Sequence, residues 1–320
     1  MNEFFKKIFH FKLLHGGFRY KLTILGIKIT IPTLKTFLSK RQDAFYYYKK
    51  NNIDITTLPP ATGQLRDIQL ANLAIMKEFD EFCRANNLSY WLEYGTLLGA
   101  VRHKGYIPWD DDIDVSMTRE DYDKFIEIFE KNSPNSKLEL RYNKSKTGLF
   151  LLKLMRKDTE LLFIDIFPSD FCKKHNSKEE KKETKEQVRA LRKEFLKNIN
   201  IEKLSGKELY EQYINFKKQN NIFEKKDETK EQDLMFGIEF GSFKDNFVQN
   251  YNNVFPLKEY DFEGYKFFCV SNADIRLKET YGENYMDYPP KLTYGHSKFF
   301  KLSKKDKEII EELKKQVEIK

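Results

Sequence analysis

Two aspartates, Asp112 and Asp114, are the residues whose spacing first indicates chemistry. They lie near the end of the stretch Gly95–Val115, which begins with a glycine turn and ends in a block of carboxylates. On a predicted strand over 112–117, side chains two residues apart point to the same face, roughly 6–7 Å apart. Such carboxylates repel each other unless a cation lies between them, and Mg²⁺ takes oxygen ligands of this kind together with substrate phosphates. We therefore expect a Mg²⁺ site here, with Mn²⁺ as the alternative ion.

The other acids near this pair are expected to have different roles. Asp165 lies in a predicted strand over 161–167 that is otherwise apolar on both faces, and an acid buried alone is costly. We expect Asp165 to complete the metal site or to accept a proton from a substrate hydroxyl; the alternative is an acid that caps a loop. Because four clustered acids cannot all bind one ion, we expect Asp110 to lie behind the ligands and Asp111 to cap a turn.

Residues upstream of the acids are suited to phosphate binding. Gly95 allows close approach of the backbone, and a helix predicted over 97–102 presents amide donors near Thr96. Arg102 and Lys104 supply positive charge, and the planar guanidinium of Arg102 can contact two phosphate oxygens at once. We therefore expect these four residues to bind the phosphates of a substrate.

Other candidates have a structural interpretation beside the functional one. Lys153 and Arg156 are expected either to contact the same phosphates or to be ordinary surface charges. Trp109 is expected to stack on a base or on a quaternary ammonium group, which suits an aromatic face, or else to pack in the core. Tyr94 and Tyr106 share this ambiguity.

Periodicity and turn signals predict the elements that must position these residues. Apolar residues at three-to-four spacing, with one gap at Asn72, predict a helix over 65–88. The other predicted elements are a hairpin over 18–31, a helix near 43–50, strands over 90–94, 138–142 and 149–155, a helix after Thr118, two or three helices within 173–235 with a break near Ser205, a hairpin over 260–270, and helices over 272–281 and 303–319.

Charge divides the chain into parts. The first forty residues hold eight Lys and Arg residues against one acid, Glu3, and their first fifteen residues are expected to form an amphipathic helical segment. The four parts that we expect are a basic tail with a small hairpin (1–40), a catalytic core (41–172), a charged helical arm (173–235) and a C-terminal part that completes the core (236–320).

Composition limits the classes of function. The net charge of +8 is concentrated in the tail, which argues against a nucleic-acid groove and for a local contact with an anionic membrane surface. The alternative is a tail packed on the protein's own body. No run approaches the roughly 20 apolar residues that span a bilayer. Because the three cysteines are far apart and form no disulfide framework, we expect a cytoplasmic protein. The basic tail leads us to expect that it is peripheral on the inner face of the membrane.

The stretch Gly95–Lys124 resembles the core of the LicD family, the bacterial relatives of fukutin. The resemblance covers roughly residues 65–170 and 255–300, and it leaves out the tail and the arm. Its strong segments are GTLLGAVRH (95–103), IPWDDDIDV (107–115) and REDYDKF (119–125), and its weaker ones are Ile164–Pro168, Phe262–Gly264 and Tyr281–Met286.

The resemblance implies an α+β, nucleotidyltransferase-like fold, in which a mixed sheet flanked by helices carries three carboxylates and the charged arm is an insertion. The family's best-known activity is transfer of phosphocholine from CDP-choline to a cell-surface glycan, with release of CMP. The implied partners are a CDP-alcohol and a glycan or lipid-linked saccharide acceptor. One departure is that the C-terminal region has a single histidine, His296, where the family often has more.

Three alternatives remain open at this point. A glycosyltransferase could use Asp112 and Asp114 to bind Mn²⁺ and a UDP-sugar, although the glycine turn at Gly95 and the short region before the acids disfavour it. The same fold could instead transfer a nucleotide and release pyrophosphate. A non-catalytic subunit docked on a membrane would lack metal dependence, which an intact set of three acids disfavours.

Overall fold

A computed structural model gives the fold of the chain in two units. The first comprises residues 1–55 and 288–292, and the second comprises residues 56–287 and 293–320. Among the described residues, none of the helices combines the length and the apolar character that crossing a bilayer requires. The described residues are 9–13, 19–24, 27–32, 40–133, 135–220, 223–241, 248–290 and 302–317, with side chains from Phe45 onward.

The described residues of the first unit form a small antiparallel sheet and one α-helix. Its strands β1 (Phe9–Leu13), β2 (Arg19–Ile24) and β3 (Ile27–Pro32) pair in that order, and helix α1 (Lys40–Lys50) follows. The predicted hairpin is confirmed as β2 and β3. The predicted helical segment is wrong over β1, where apolar and polar residues alternate with the period of a strand. The rest of that predicted segment, residues 1–8 and 14–15, lies outside the described residues.

The second unit is built on a seven-stranded mixed sheet flanked by helices. Its helices are α2 (Gln64–Ala85), α3 (Tyr94–Arg102), α4 (Arg119–Asn132), α5 (Lys178–Lys197), α6 (Gly206–Lys217), α7 (Tyr251–Val254), α8 (Ala273–Tyr281) and α9 (Lys304–Lys314). Its sheet strands are β4 (Trp91–Leu92), β5 (Asp114–Thr118), β6 (Leu138–Lys144), β7 (Phe150–Arg156), β8 (Phe163–Lys173), β9 (Gln232–Phe236) and β10 (Val248–Asn250), and a separate hairpin is formed by β11 (Lys258–Phe262) and β12 (Tyr265–Cys269).

The long strand β8 organises this sheet. It pairs in parallel with β5 and antiparallel with β7 and β9, and ten of its eleven residues are buried. The register places Asp165 of β8 between Asp114 of β5 and Lys153 of β7. The expected mixed sheet flanked by helices is therefore confirmed, and three neighbouring strands bring chemically active side chains together.

The core forms where the apolar stripe of α2 meets other elements. Ile68, Ile75 and Phe79 are almost fully buried, at the spacing that predicted this helix. The ring of Phe79 packs edge-on against Phe125 of α4, with the ring centroids 5.3 Å apart. The apolar stripe of α2 is therefore part of the core of the second unit.

Two predicted strands are shorter than expected. The strand predicted over 90–94 is only β4, because Tyr94 has a positive φ of 44° that a strand cannot accommodate and α3 begins there. The strand predicted over 112–117 begins at Asp114. Asp112 therefore lies in the loop before β5, so the predicted start of the strand is wrong and strand pairing does not set the position of Asp112.

The described residues of the charged arm form two α-helices, α5 and α6. The predicted break is confirmed: Ser205 begins α6 with a capping box, in which its hydroxyl accepts from the Glu208 amide and Glu208 binds back to the Ser205 amide. Residues 232–235, expected to close the helical arm, instead belong to β9, which pairs with β8. The predicted helices over 272–281 and 303–319 and the hairpin over 260–270 correspond to α8, α9, β11 and β12.

Candidate active site

Three carboxylates, those of Asp112, Asp114 and Asp165, form the centre of the site. One oxygen from each lies within 4.8 Å of the others. Asp114 and Asp165 are register partners on parallel strands, and the Asp165 amide donates to the carbonyl of Ile113 at 2.8 Å. Strand pairing therefore fixes the positions of Asp114 and Asp165, whereas Asp112 lies in a loop. Asp112 also groups with Asp110 and Asp111 at similar separations.

Burial and mutual repulsion raise the pKa values of two acids of this group, Asp114 and Asp110. Burial raises the pKa of Asp114 well above its usual value, and the negative charges of Asp112 and Asp165 raise it further. The pKa of Asp110 is raised in the same way, first by burial and then by Asp112 and Asp111. An all-oxygen set of carboxylates with such repulsion has the donor chemistry that Mg²⁺ prefers.

The start of α3 holds the acid segment in place. The Thr96 hydroxyl accepts from the Asp114 amide at 2.9 Å, so this side chain fixes the first residue of β5. Gly95 packs so closely against Asp110 that a Cβ at this position would collide with the carboxylate. The close approach predicted for Gly95 is thus made by an acid of the site. Phosphate binding by Gly95 and Thr96 stays a prediction.

The two predicted cations of β7 have different surroundings. Lys153 Nζ lies 2.6 Å from Asp165 Oδ1 and 3.4 Å from the centroid of the Phe163 ring. Lys153 is therefore brought into the site. Arg156 instead pairs with Glu312 of α9 at 3.2 Å, and it is buried, so it is not the ordinary surface charge of the alternative. Phosphate binding by Arg156 stays a prediction.

The cations at the end of α3 contact protein groups. Arg102 is buried, and its guanidinium donates to His103 Nε2 and to the Tyr285 carbonyl, both at 3.0 Å. Burial and the Arg102 charge lower the pKa of His103 to about 4, so its ring is neutral and can accept. Lys104 is exposed and donates to the Val101 carbonyl at 3.4 Å. Phosphate binding by Arg102 and Lys104 stays a prediction.

The aromatic candidates pack mainly against other rings. Tyr106 is buried, with its ring centroid 4.9 Å from that of Phe262. Tyr94 stacks on Phe236 at a centroid distance of 5.7 Å. Trp109 is half-buried against the core. The core interpretation is therefore supported for Tyr94 and Tyr106, and stacking of a ligand on Trp109 stays a prediction.

A polar stripe on α2, which sequence reasoning did not assign to the site, supports the acid loop. The stripe consists of Arg66, Gln69 and Asn72, three residues apart. Gln69 Nε2 donates to the Asp110 carbonyl at 2.8 Å, and Asn72 Nδ2 donates to the Asp111 carbonyl at 2.9 Å. The gap at Asn72 in the apolar periodicity was the available signal for this stripe.

Glu263, at the turn of the β11–β12 hairpin, holds the other end of the same loop. Its carboxylate accepts from Arg66 through two bonds of 2.9 and 2.6 Å, and from the Tyr106 amide at 3.0 Å. Gly105 leaves room for this carboxylate, since a Cβ there would collide with it. The sequence predicted Glu263 only as a turn residue.

A buried ion pair fixes the N-terminus of α3. Glu93 is fully buried, pairs with Arg276 of α8 at 2.8 Å, and accepts from Trp91 and Ser116 at 3.1 and 3.2 Å. Sequence reasoning missed this pair because its members are far apart in the chain. His296, which the sequence singled out, lies outside the described residues.

The chain matches a known family over the part that contains these acids. Residues 87–210 match the family model described as LicD/FKTN/FKRP, nucleotidyltransferase domain. This match begins before β4 and ends within α6, so it includes Asp112, Asp114 and Asp165. The expected nucleotidyltransferase-like fold class is therefore confirmed.

Individual proteins from bacteria and from human are also similar to parts of the chain. The lipopolysaccharide cholinephosphotransferase LicD of Haemophilus influenzae is 29% identical over 255 residues, which cover 71% of this chain and 92% of that protein. An uncharacterised protein of Rickettsia prowazekii is 34% identical over 110 residues, 32% of this chain and 41% of that protein. The human ribitol 5-phosphate transferase FKRP is 33% identical over 86 residues, 26% of this chain and 17% of that protein.

Proposed function

The chain is a transferase of the LicD family, and we propose that it moves phosphocholine, or a related phospho-alcohol, from a CDP-activated donor to a hydroxyl of a cell-surface glycan. The observation that carries the proposal is the group of three carboxylates within 4.8 Å of one another, inside the matched domain. Choline is placed first because the Haemophilus influenzae cholinephosphotransferase aligns over 92% of its length. Ribitol phosphate is the related group that the name of FKRP suggests.

The proposed reaction is a phosphoryl-type transfer. An acceptor hydroxyl oxygen forms a bond to the distal phosphorus of the donor, the bond from that phosphorus to the bridging oxygen breaks, and CMP leaves with the bridging oxygen. The hydroxyl proton passes to a carboxylate, for which Asp165 is the candidate. Such transfers depend mainly on positioning and on neutralising charge.

The carboxylate oxygens of the site are suited to binding a divalent metal ion. Asp112, Asp114 and Asp165 would hold Mg²⁺, with Mn²⁺ as the alternative, because their oxygens converge and the negative charges of Asp112 and Asp165 raise the pKa of Asp114. When bound, the ion supplies charge for the diphosphate and for the leaving phosphate. Thr96 would keep the Asp114 backbone fixed, and Lys153 would neutralise Asp165 and approach a donor phosphate.

A panel of donors tests this function. The protein is incubated with Mg²⁺, a glycan acceptor mixture and, in turn, CDP-choline, CDP-ethanolamine, CDP-ribitol, UDP-sugars and CTP. We expect release of CMP from a CDP-alcohol. Release of UDP from a UDP-sugar would contradict the proposal in favour of a glycosyltransferase, and release of pyrophosphate from CTP would do so in favour of a nucleotidyltransferase.

Exposed residues of the first unit favour contact with an anionic membrane surface, where a lipid-linked acceptor would lie. Tyr46 and Tyr47 of α1 are 50% and 62% exposed, and the exposed Lys50 lies one turn after Tyr46. Aromatic rings beside lysines suit a membrane interface, and the basic tail adds the same charge.

Co-sedimentation with vesicles containing phosphatidylserine tests this contact. We expect binding that weakens as salt rises, and that weakens further when Tyr46 and Tyr47 are both changed to serine. Ile275→Ser, at an exposed apolar residue of α8 that is 37% exposed, is the matched control. Equal binding by the double variant and the control would contradict the proposed surface.

A further inference from the structure

One buried amide, that of Asn72, contacts both backbone segments that carry the acids. Its Nδ2 donates to the Asp111 carbonyl at 2.9 Å, and its Oδ1 accepts from the Phe163 amide at 3.0 Å. Asp111 directly precedes Asp112 in the loop. Phe163 begins β8, two residues before Asp165. A single side chain on α2 therefore links the loop to the strand.

Burial of the Asn72 amide is energetically unfavourable unless both of these hydrogen bonds are made. The side chain is fully buried, and a buried amide without partners is strongly unfavourable. A leucine has a similar volume, but it would leave the Asp111 carbonyl and the Phe163 amide without this partner. The residue type is therefore explained by the two backbone groups it joins.

The same helix contacts the loop again one turn earlier. Gln69 Nε2 donates to the carbonyls of Asp110 and Ile107, at 2.8 and 3.4 Å. On the far side of the acids, the Asp165 amide binds the Ile113 carbonyl at 2.8 Å. The loop is thus held by α2 along one side and by β8 at its end. Asn72, on α2, contacts both the loop and β8.

We propose that Asn72 is a positioning residue that sets the separation between the loop bearing Asp112 and the strand bearing Asp165, and thereby the divalent-ion affinity of the site. The inference rests on the metal site of the proposed function. Groups that orient metal ligands through hydrogen bonds typically change metal affinity by about 10- to 100-fold when they are removed.

Mn²⁺ alone, without any donor, is the probe. Its dissociation constant is measured by calorimetry for the parent, Asn72→Ala and the milder Asn72→Ser, each well below its own Tm. We expect the constant to rise about 10- to 100-fold in both variants. Phe79→Leu is the matched control: it truncates a core ring of the same helix that packs on Tyr90 and Phe125, so Tm falls while Mn²⁺ affinity stays at the parent value.

Hydrogen exchange of residues 107–113 provides a readout that does not depend on the metal. We expect faster exchange in Asn72→Ala and Asn72→Ser than in Phe79→Leu. Parent-like Mn²⁺ affinity in either folded Asn72 variant would overturn the inference. If the parent binds no Mn²⁺, the metal assignment of the proposed function fails, and exchange then decides separately: rates equal to those of Phe79→Leu would also overturn the role of Asn72.

Discussion

Removal of the Glu263 carboxylate is expected to lower the free energy of unfolding by more than is usual for a residue in a surface hairpin. Glu263→Ala deletes both bonds to Arg66 and the acceptor of the Tyr106 amide. A buried donor left unpaired costs about 1–3 kcal/mol, and breaking a fully buried ion pair costs about 3–5 kcal/mol. The two side chains remain 15% and 13% exposed, so water compensates part of the loss. We expect the free energy of unfolding to fall by about 2–4 kcal/mol.

Urea denaturation measures this change, and the same hairpin supplies its control. Glu259 pairs with Arg84 at 2.8 Å, but these side chains are 46% and 36% exposed, and Arg84 keeps its second partner Asp80. Glu259→Ala should therefore cost less than about 1 kcal/mol. Equal costs for the two variants would refute the claim that Glu263 clamps the loop, as would additive costs for Glu263→Ala and Arg66→Ala in a double-mutant cycle.

Two further predictions follow from the packing and charge of the second unit. Gly95→Ala should sharply reduce transfer activity without unfolding the chain, because the new methyl group would displace the Asp110 carboxylate; unchanged turnover, with folding followed by circular dichroism, would contradict this. Burial opposes ionisation of Asp170, but Arg119 and Lys217 outweigh it and lower its pKa from 3.8 to about 2. This carboxylate therefore stabilises the fold fully above about pH 4, and the stability difference between the parent and Asp170→Asn, measured by urea denaturation, should shrink as pH falls from about 4 to about 2. A difference that stays constant over that range would contradict the assignment.

Much of the fold could be predicted because its signals are local. The apolar period of α2, the serine that caps α6 and the hairpin turn at Glu263 are each contained within a few neighbouring residues. The acid cluster at Asp112 and Asp114 was recognisable for the same reason. Asp165 could be added because an acid in an apolar strand needs a partner.

The remaining features depend on contacts between distant parts of the chain. Alternation placed Asp112 on a strand, but Gln69 and Asn72 bind the carbonyls of the two preceding residues, which keeps that segment in a loop. Glu93 and Arg276 are separated by 183 positions, so their pairing exists only once α3 and α8 have packed. Sequence patterns show which residues are polar, whereas the partner of each is set by the tertiary structure.

The most direct test of the metal site is Mg²⁺-dependent CMP release from CDP-choline by the parent, Asp114→Asn and Asp261→Asn. Asp261 is an exposed hairpin acid paired with Lys266 at 2.9 Å, so its variant controls for loss of one negative charge. A bound ion supplies several kcal/mol of transition-state stabilisation, and each 1.4 kcal/mol corresponds to about tenfold in rate. We therefore predict that Asp114→Asn lowers the rate at least about 100-fold, while Asp261→Asn keeps the parent rate. Parent-like CMP release by folded Asp114→Asn would contradict the account.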